Sequence, residues 1–125
     1  MVARVQNNGL ARITTALAAL SWFLQWGTGS GAVASANAVT TTSTTEARTT
    51  ATTSQGTTNV ANDKLVLTGN IVAAGARTIT EVGAFDAAGS GSPPSGGNMD
   101  VYCDFGSVVL ATNDFIAFTI GVTFQ

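Results

Sequence analysis

Apolar and polar residues alternate with period two in several separate stretches of this chain. Leu65, Leu67, Gly69 and Ile71 alternate with Lys64, Val66, Thr68 and Asn70, and Met99, Val101, Cys103 and Phe105 with Asp100, Tyr102 and Asp104. The last run is the clearest: Ile116, Phe118, Ile120, Val122 and Phe124 form one face, and Ala117, Thr119, Gly121 and Thr123 the other. Period two turns one face of each strand to a core and the other away from it. Thr78 to Phe85 predicts a further strand, in which Gly83 marks a bulge or a close backbone approach. Asn62-Asp63, Ala74-Gly75-Ala76 and the run Gly89-Ser90-Gly91-Ser92-Pro93-Pro94-Ser95-Gly96-Gly97 read as breaks, the last an exposed hairpin loop. The pattern predicts a mainly β chain, an antiparallel β-sandwich of jelly-roll-like kind, as a single domain over 1–125.

A different period opens the chain. Leu10, Ile13, Leu17 and Leu20 recur at spacings of three and four, which predicts one short N-terminal α-helix over about Gly9 to Leu20. Asn7 or Asn8 is placed to cap it, and Arg12, Thr14 and Thr15 face away from the apolar side. The arm and helix occupy about 1–21. The stretch ALAALSWFL, followed by the small residues Ala32 to Ala36, imitates a secretory signal, but Gln25, Trp26 and several glycines intervene. A docked amphipathic helix is the expectation, and the apolar run is too short to span a bilayer. Trp22, Leu24 and Trp26 share one face of a short strand.

From Thr40 to Thr58, 11 of 19 residues are threonine. Threonine suits strands, but an all-polar strand has little reason to be buried. The stretch (about 40–58) therefore reads as an arm leading into an edge strand around Glu46 to Ser54. Gly27-Thr28-Gly29 ends the preceding section, and without a following helix it is a turn rather than a phosphate loop.

Charge narrows the function. Only 10% of the 125 residues are charged, against about 25% in an average soluble domain. Five basic and seven acidic residues give a net charge of −2 without a basic cluster, which argues against nucleic acid as a partner. Histidine is absent, so the commonest general base and neutral metal ligand are missing and a conventional Ser-His-Asp triad cannot form. Cys103, the single cysteine, excludes an internal disulfide framework and a thiolate zinc site. It falls on the apolar side of its strand, as a buried inert thiol would. Glu81, Asp86, Asp100 and Asp104 offer calcium-type oxygens, but no D-x-D-x-D-G loop holds them. The expectation is a protein without enzymatic activity, cofactor or metal. A chain this poor in charge and 45% hydrophobic is expected to bury surface against other subunits.

Several motifs lie together in one order. Asn7-Asn8-Gly9-Leu10-Ala11-Arg12-Ile13 begins the helix, and Gly27-Thr28-Gly29 follows a strand. Glu46-Ala47-Arg48 comes next, then Ile79-Thr80-Glu81-Val82-Gly83-Ala84-Phe85-Asp86-Ala87 and Ser95-Gly96-Gly97-Asn98-Met99. Over nearly its whole length the chain resembles small β-sandwich virion proteins of tailed bacteriophages, a group of head decoration (cement) and tail-associated proteins. The I-T-E-V-G-x-F-D stretch is the most specific part. Ala84 departs from the larger aliphatic residue more usual there.

The resemblance implies a capsid decoration protein on the outer surface of the virion head, bridging subunits of the major capsid protein. A tail, neck or fibre component is the alternative within virions. Decoration proteins of this kind commonly sit at threefold or quasi-threefold positions, which implies a homotrimer with no membrane partner. Expected contacts are Val2, Arg4 and Val5 before the helix, Trp22 and Trp26, and Thr41, Thr42, Thr44 and Thr45 in the threonine-rich arm. The seam between copies is expected at the Trp22–Trp26 segment or at the threonine-rich edge. Core packing is the competing reading for both tryptophans. A carbohydrate-binding module stacking sugars on Trp22, Trp26 or Tyr102 is the alternative from another class.

Overall fold

The computed structural model describes residues 1–31 and 44–125. A helix, α1 (Asn7–Ala18), precedes seven strands: β1 (Phe23–Gly27), β2 (Thr49–Thr50), β3 (Thr52–Gly56), β4 (Lys64–Val72), β5 (Arg77–Phe85), β6 (Met99–Leu110) and β7 (Phe115–Thr123). The protein is mainly β, a sandwich of a four-stranded sheet ordered β2-β1-β5-β6 and a three-stranded sheet ordered β3-β4-β7. All pairings among these strands are antiparallel. Leu24, Trp26, Leu65, Leu67, Ile79 and Val82 form the centre of the core, each no more than 2% exposed. Burying a side chain of this size contributes about 1.5–3 kcal/mol. Ala84 is also fully buried in it.

The threonine-rich stretch forms an edge, divided between the two sheets. Thr49 and Thr50 pair with β1, and Thr52 to Gly56 pair with β4. Between them Ala51 is buried, and its N–H donates to the Trp22 carbonyl at 2.8 Å. One chain segment thus closes one side of the sandwich, its hydroxyls outside and a small residue at the crossing.

Helix α1 begins at Asn7 and ends at Ala18, earlier at both ends than the apolar spacing implies. Gln6 takes the N-cap position without a side-chain bond, so neither Asn7 nor Asn8 caps. Leu20 lies past the helix and is 57% exposed. Thr14, expected on the outer side, is buried instead. Its hydroxyl lies 2.6 Å from the Asn62 carbonyl and accepts from Gln55 Nε2 at 2.7 Å. Thr53 Oγ1 donates to the Ala18 carbonyl at 2.7 Å. The helix docks on the polar side chains of edge strand β3, which is why a threonine is buried beside Leu10. A Cβ at Gly9 would stand 2.9 Å from Val5 Cγ1, so the glycine admits Val5, four residues earlier in the arm, against the first helical turn.

Register shifts between Ile79 and Glu81, and between Ala84 and Phe85, interrupt the β5–β6 pairing. Ile79, Val82 and Ala84 join the core. The Cβ position at Gly83 would meet Met99 Sδ at 2.6 Å and the Phe85 ring at 3.0 Å. Gly83 is therefore a place of close approach, on the side of the sheet opposite Val82 and Ala84. Val101 pairs with Ala84 but Met99 with Phe85. Met99 consequently leaves the apolar face on which simple alternation puts it, while Val101, Cys103 and Phe105 pack against the core.

Candidate interaction surfaces

The outer face of the four-stranded sheet is covered by its own loops. Phe85 and Glu81 are fully buried there and Gln25 is buried with them. The Arg48 guanidinium lies 3.6 Å from the centroid of the Phe85 ring, a favourable cation–π position. Its Nε donates to Gln25 Oε1, and its Nη1 to the carbonyls of Ala87 and Gly96, each at 2.8 Å. Gln25 Nε2 donates in turn to the Pro94 carbonyl at 3.2 Å. Asp86 accepts from the Asn98 N–H at 2.7 Å and its amide at 2.8 Å, which hold the Asp86 carboxyl below its ordinary 3.8 against the opposing effect of burial. The glycine-rich loop is thus pinned at its base.

Glu46, two residues before Arg48, is spent in the same way. Its Oε1 accepts from the Ala74 N–H at 2.9 Å and from Arg77 Nε at 3.2 Å, and its Oε2 from the Trp26 indole N–H at 3.3 Å. Burial pushes the Glu46 carboxyl up, but the Ala74 and Trp26 donors and the Arg77 charge outweigh it, so it titrates below 4.5. The E-x-R pair is architectural: alternate positions on an extended segment feed one residue to Trp26 and the other to the loop. Glu81 accepts from the Tyr102 hydroxyl at 2.7 Å and the Gly29 N–H at 3.3 Å. Among the described residues, no three acidic or cysteine side chains converge as metal ligands would. Burial, with the charge of Asp104, pushes the Cys103 thiol up, away from thiolate chemistry.

The expected contact residues separate into three groups. Trp22 and Trp26 are 4% and 1% exposed, so they are core residues and present no surface to a second molecule or a sugar. Trp22 Nε1 donates to the Leu17 carbonyl at 2.9 Å, satisfying its polar end within the chain. Thr44 is likewise buried, and Thr45 is exposed, while Thr41 and Thr42 lie outside the described residues. Val2, Arg4 and Val5 are exposed on the arm, and no described residue hydrogen-bonds to residues 1–5.

A further surface escapes the alternation pattern. Strand β6 continues to Leu110, well past Phe105, where the alternating run stops, because the irregularity opposite Thr80 absorbs Gly106 and Ser107. Val108 and Val109, a β-branched pair, are the signal that the strand goes on. Both β6 and β7 are edge strands. Among the described residues the sandwich is therefore closed on the threonine side and open on this one. Between the two edges lies a groove of about 350 Å³ lined by Cys103, Phe105, Val108, Ile116, Phe118 and Ile120. The Phe105 and Phe118 rings stand 6.1 Å apart. Val109 (78% exposed), Phe115 and its cross-strand neighbour Val72 add apolar surface around the turn at 111–114.

Comparison with known proteins finds no family model, no curated protein and no solved structure that matches the chain.

Proposed function

We propose that this protein is a structural subunit of a tailed-phage particle, a decoration protein that bridges major capsid subunits on the outside of the head as a homo-oligomer, with a trimer the form that fits threefold positions. The observation that carries the reading is the open β6–β7 side, where Val108, Val109, Phe115 and Val72 are exposed around two strand edges that are unpaired among the described residues. Apolar surface of this kind belongs to interfaces. The charged side chains Glu46, Arg48 and Arg77 are engaged in holding the fold itself. The role requires no bond chemistry: many copies each bury modest area, and their repetition supplies avidity.

Particles assembled without this protein are expected to lose DNA sooner on heating and at low salt than complete particles. Equal resistance would overturn the cement role. Immunogold labelling is expected on the head; label confined to the tail or neck would assign the protein there instead.

A further inference from the structure

Two parts of the molecule have no strand partner among the described residues, and they suit each other. One is the groove between β6 and β7. Strand β7 contains no charged residue and no proline, and β6 contains Asp100 and Asp104 but no lysine, arginine or proline. Between its two irregularities β6 runs regularly from Val101 to Asp104, and a regular strand edge without lysine, arginine or proline is a template for another strand. The other is the arm. In Met1 to Gln6, Ala3 and Val5 alternate with Arg4 and Gln6, the pattern of an amphipathic strand. The Gln6 carbonyl caps the helix and Val5 Cγ1 lies against Gly9, yet the arm joins neither sheet, and Val2 and Val5 are 89% and 56% exposed. Six extended residues reach about 20 Å, within the length of either edge.

We infer that the arm of a second copy of this chain lies along the free edge of β6 as a fifth strand and closes the groove. Ala3 and Val5 then face the groove side with Cys103 and Phe105, and Arg4 stands on the face that carries Asp104. The charges are complementary, since the two edge strands hold two carboxylates and no cation, and opposite charges across paired strands are favourable. Donation from each copy to the next is a head-to-tail contact, which closes into a ring at a threefold axis. The inference rests on the homo-oligomer of the proposed function. It moves the seam to β6 and β7, away from the Trp22–Trp26 segment and the threonine-rich edge, which the fold already uses.

Cys103 supplies the probe. Full-length Ala3→Cys and Val5→Cys variants are oxidised with diamide and run on non-reducing gels. At least one is expected to give dimers and larger linked species, with cross-linked peptides joining residue 3 or 5 to residue 103; Arg4→Cys, on the opposite face, gives none. Disulfide geometry demands Cβ atoms within about 4.5 Å, so the link reports position, and adding Cys103→Ser must abolish it. Asp104→Arg is expected to weaken self-association at least severalfold by light scattering, and Arg4→Asp in the same chain to restore it.

A link within one chain, or monomers with no link to Cys103, overturns the inference. If arm variants block attachment to capsids while no copies link, the inference fails and the decoration reading stands. If linked rings form but particles lacking the protein are as robust as complete ones, the inference stands and the decoration reading fails.

Discussion

Glu46 and Arg48 carry two of the few charges in this chain, and both are spent on holding buried groups in place. Glu46 accepts from the indole of Trp26, which is 1% exposed, and from the Ala74 N–H. Removing the carboxylate leaves the buried Trp26 indole N–H without an acceptor, and an unsatisfied buried donor costs about 1–3 kcal/mol, whereas the Ala74 N–H is on an exposed residue and turns to water. Glu46→Ala is expected to lower stability by about 1–3 kcal/mol, read as a lower urea midpoint with unchanged slope. A change below about 0.5 kcal/mol would show that water replaces the carboxylate at no cost. Arg48 works differently, through a planar stack on Phe85 and a fork to two loop carbonyls. Lysine reproduces its charge but neither the plane nor the fork.

At the scale of elements, the decisive piece is the threonine-rich segment that serves both sheets. Its two halves meet at Ala51, whose N–H is bonded to Trp22 and whose side chain is buried beside the core. Proline there removes the donor and places a ring where the strand crosses, with a cost of about 3 kcal/mol by analogy with other interior backbone positions. Ala51→Pro is expected to destabilise the whole protein and to raise amide hydrogen exchange in both β3 and β1. Exchange confined to residues 49–56 would mean that the two sheets do not depend on this crossing. Among the described residues the opposite side of the sandwich has no such strap, and its edges are held by the Phe105–Phe118 contact and the turn at 111–114.

At the scale of the molecule, acid sensitivity follows from how the carboxylates are held. Asp63 accepts the N–H groups of Val60, Asn59 and Thr58, and its carboxyl titrates below 3.8 for that reason, against the effect of burial. Glu46 and Asp86 also titrate below their ordinary values of 4.5 and 3.8. A carboxyl lowered on folding stabilises fully above its unfolded value, and that stability disappears as pH falls through the folded one. Asp100 acts in the other sense: burial, then the charge of Asp86, raises it above 3.8, so protonation there relieves a strain. With three lowered against one raised, the thermal midpoint is expected to be flat from about pH 7 to 5 and to fall below about pH 4.5. Calorimetry across that range checks it, and a midpoint that rises on acidification would show that Asp100 outweighs the other three.

Period two by itself determined the sandwich: Leu65, Leu67 and Ile71 on β4, and Phe118 and Ile120 on β7, are buried because a pleated strand with one apolar face has one stable way to turn. The same logic made Trp26 on β1, and Trp22 just before it, core residues once the opposing sheet was in place. Three outcomes were decided only in three dimensions. The bulges in the β5–β6 pairing set Met99 against Gly83 and away from the core, because register shifts change side-chain parity without leaving a mark in residue type. Thr14 is buried because its neighbours across the helix–strand contact, Gln55 and Asn62, are polar and 41 and 48 residues away in sequence. The open edge between β6 and β7 depends on strand order. Alternation states which face of a strand is apolar, but hydrogen-bonded neighbours are chosen by chain topology, and among the described residues that choice left these two edges unpaired.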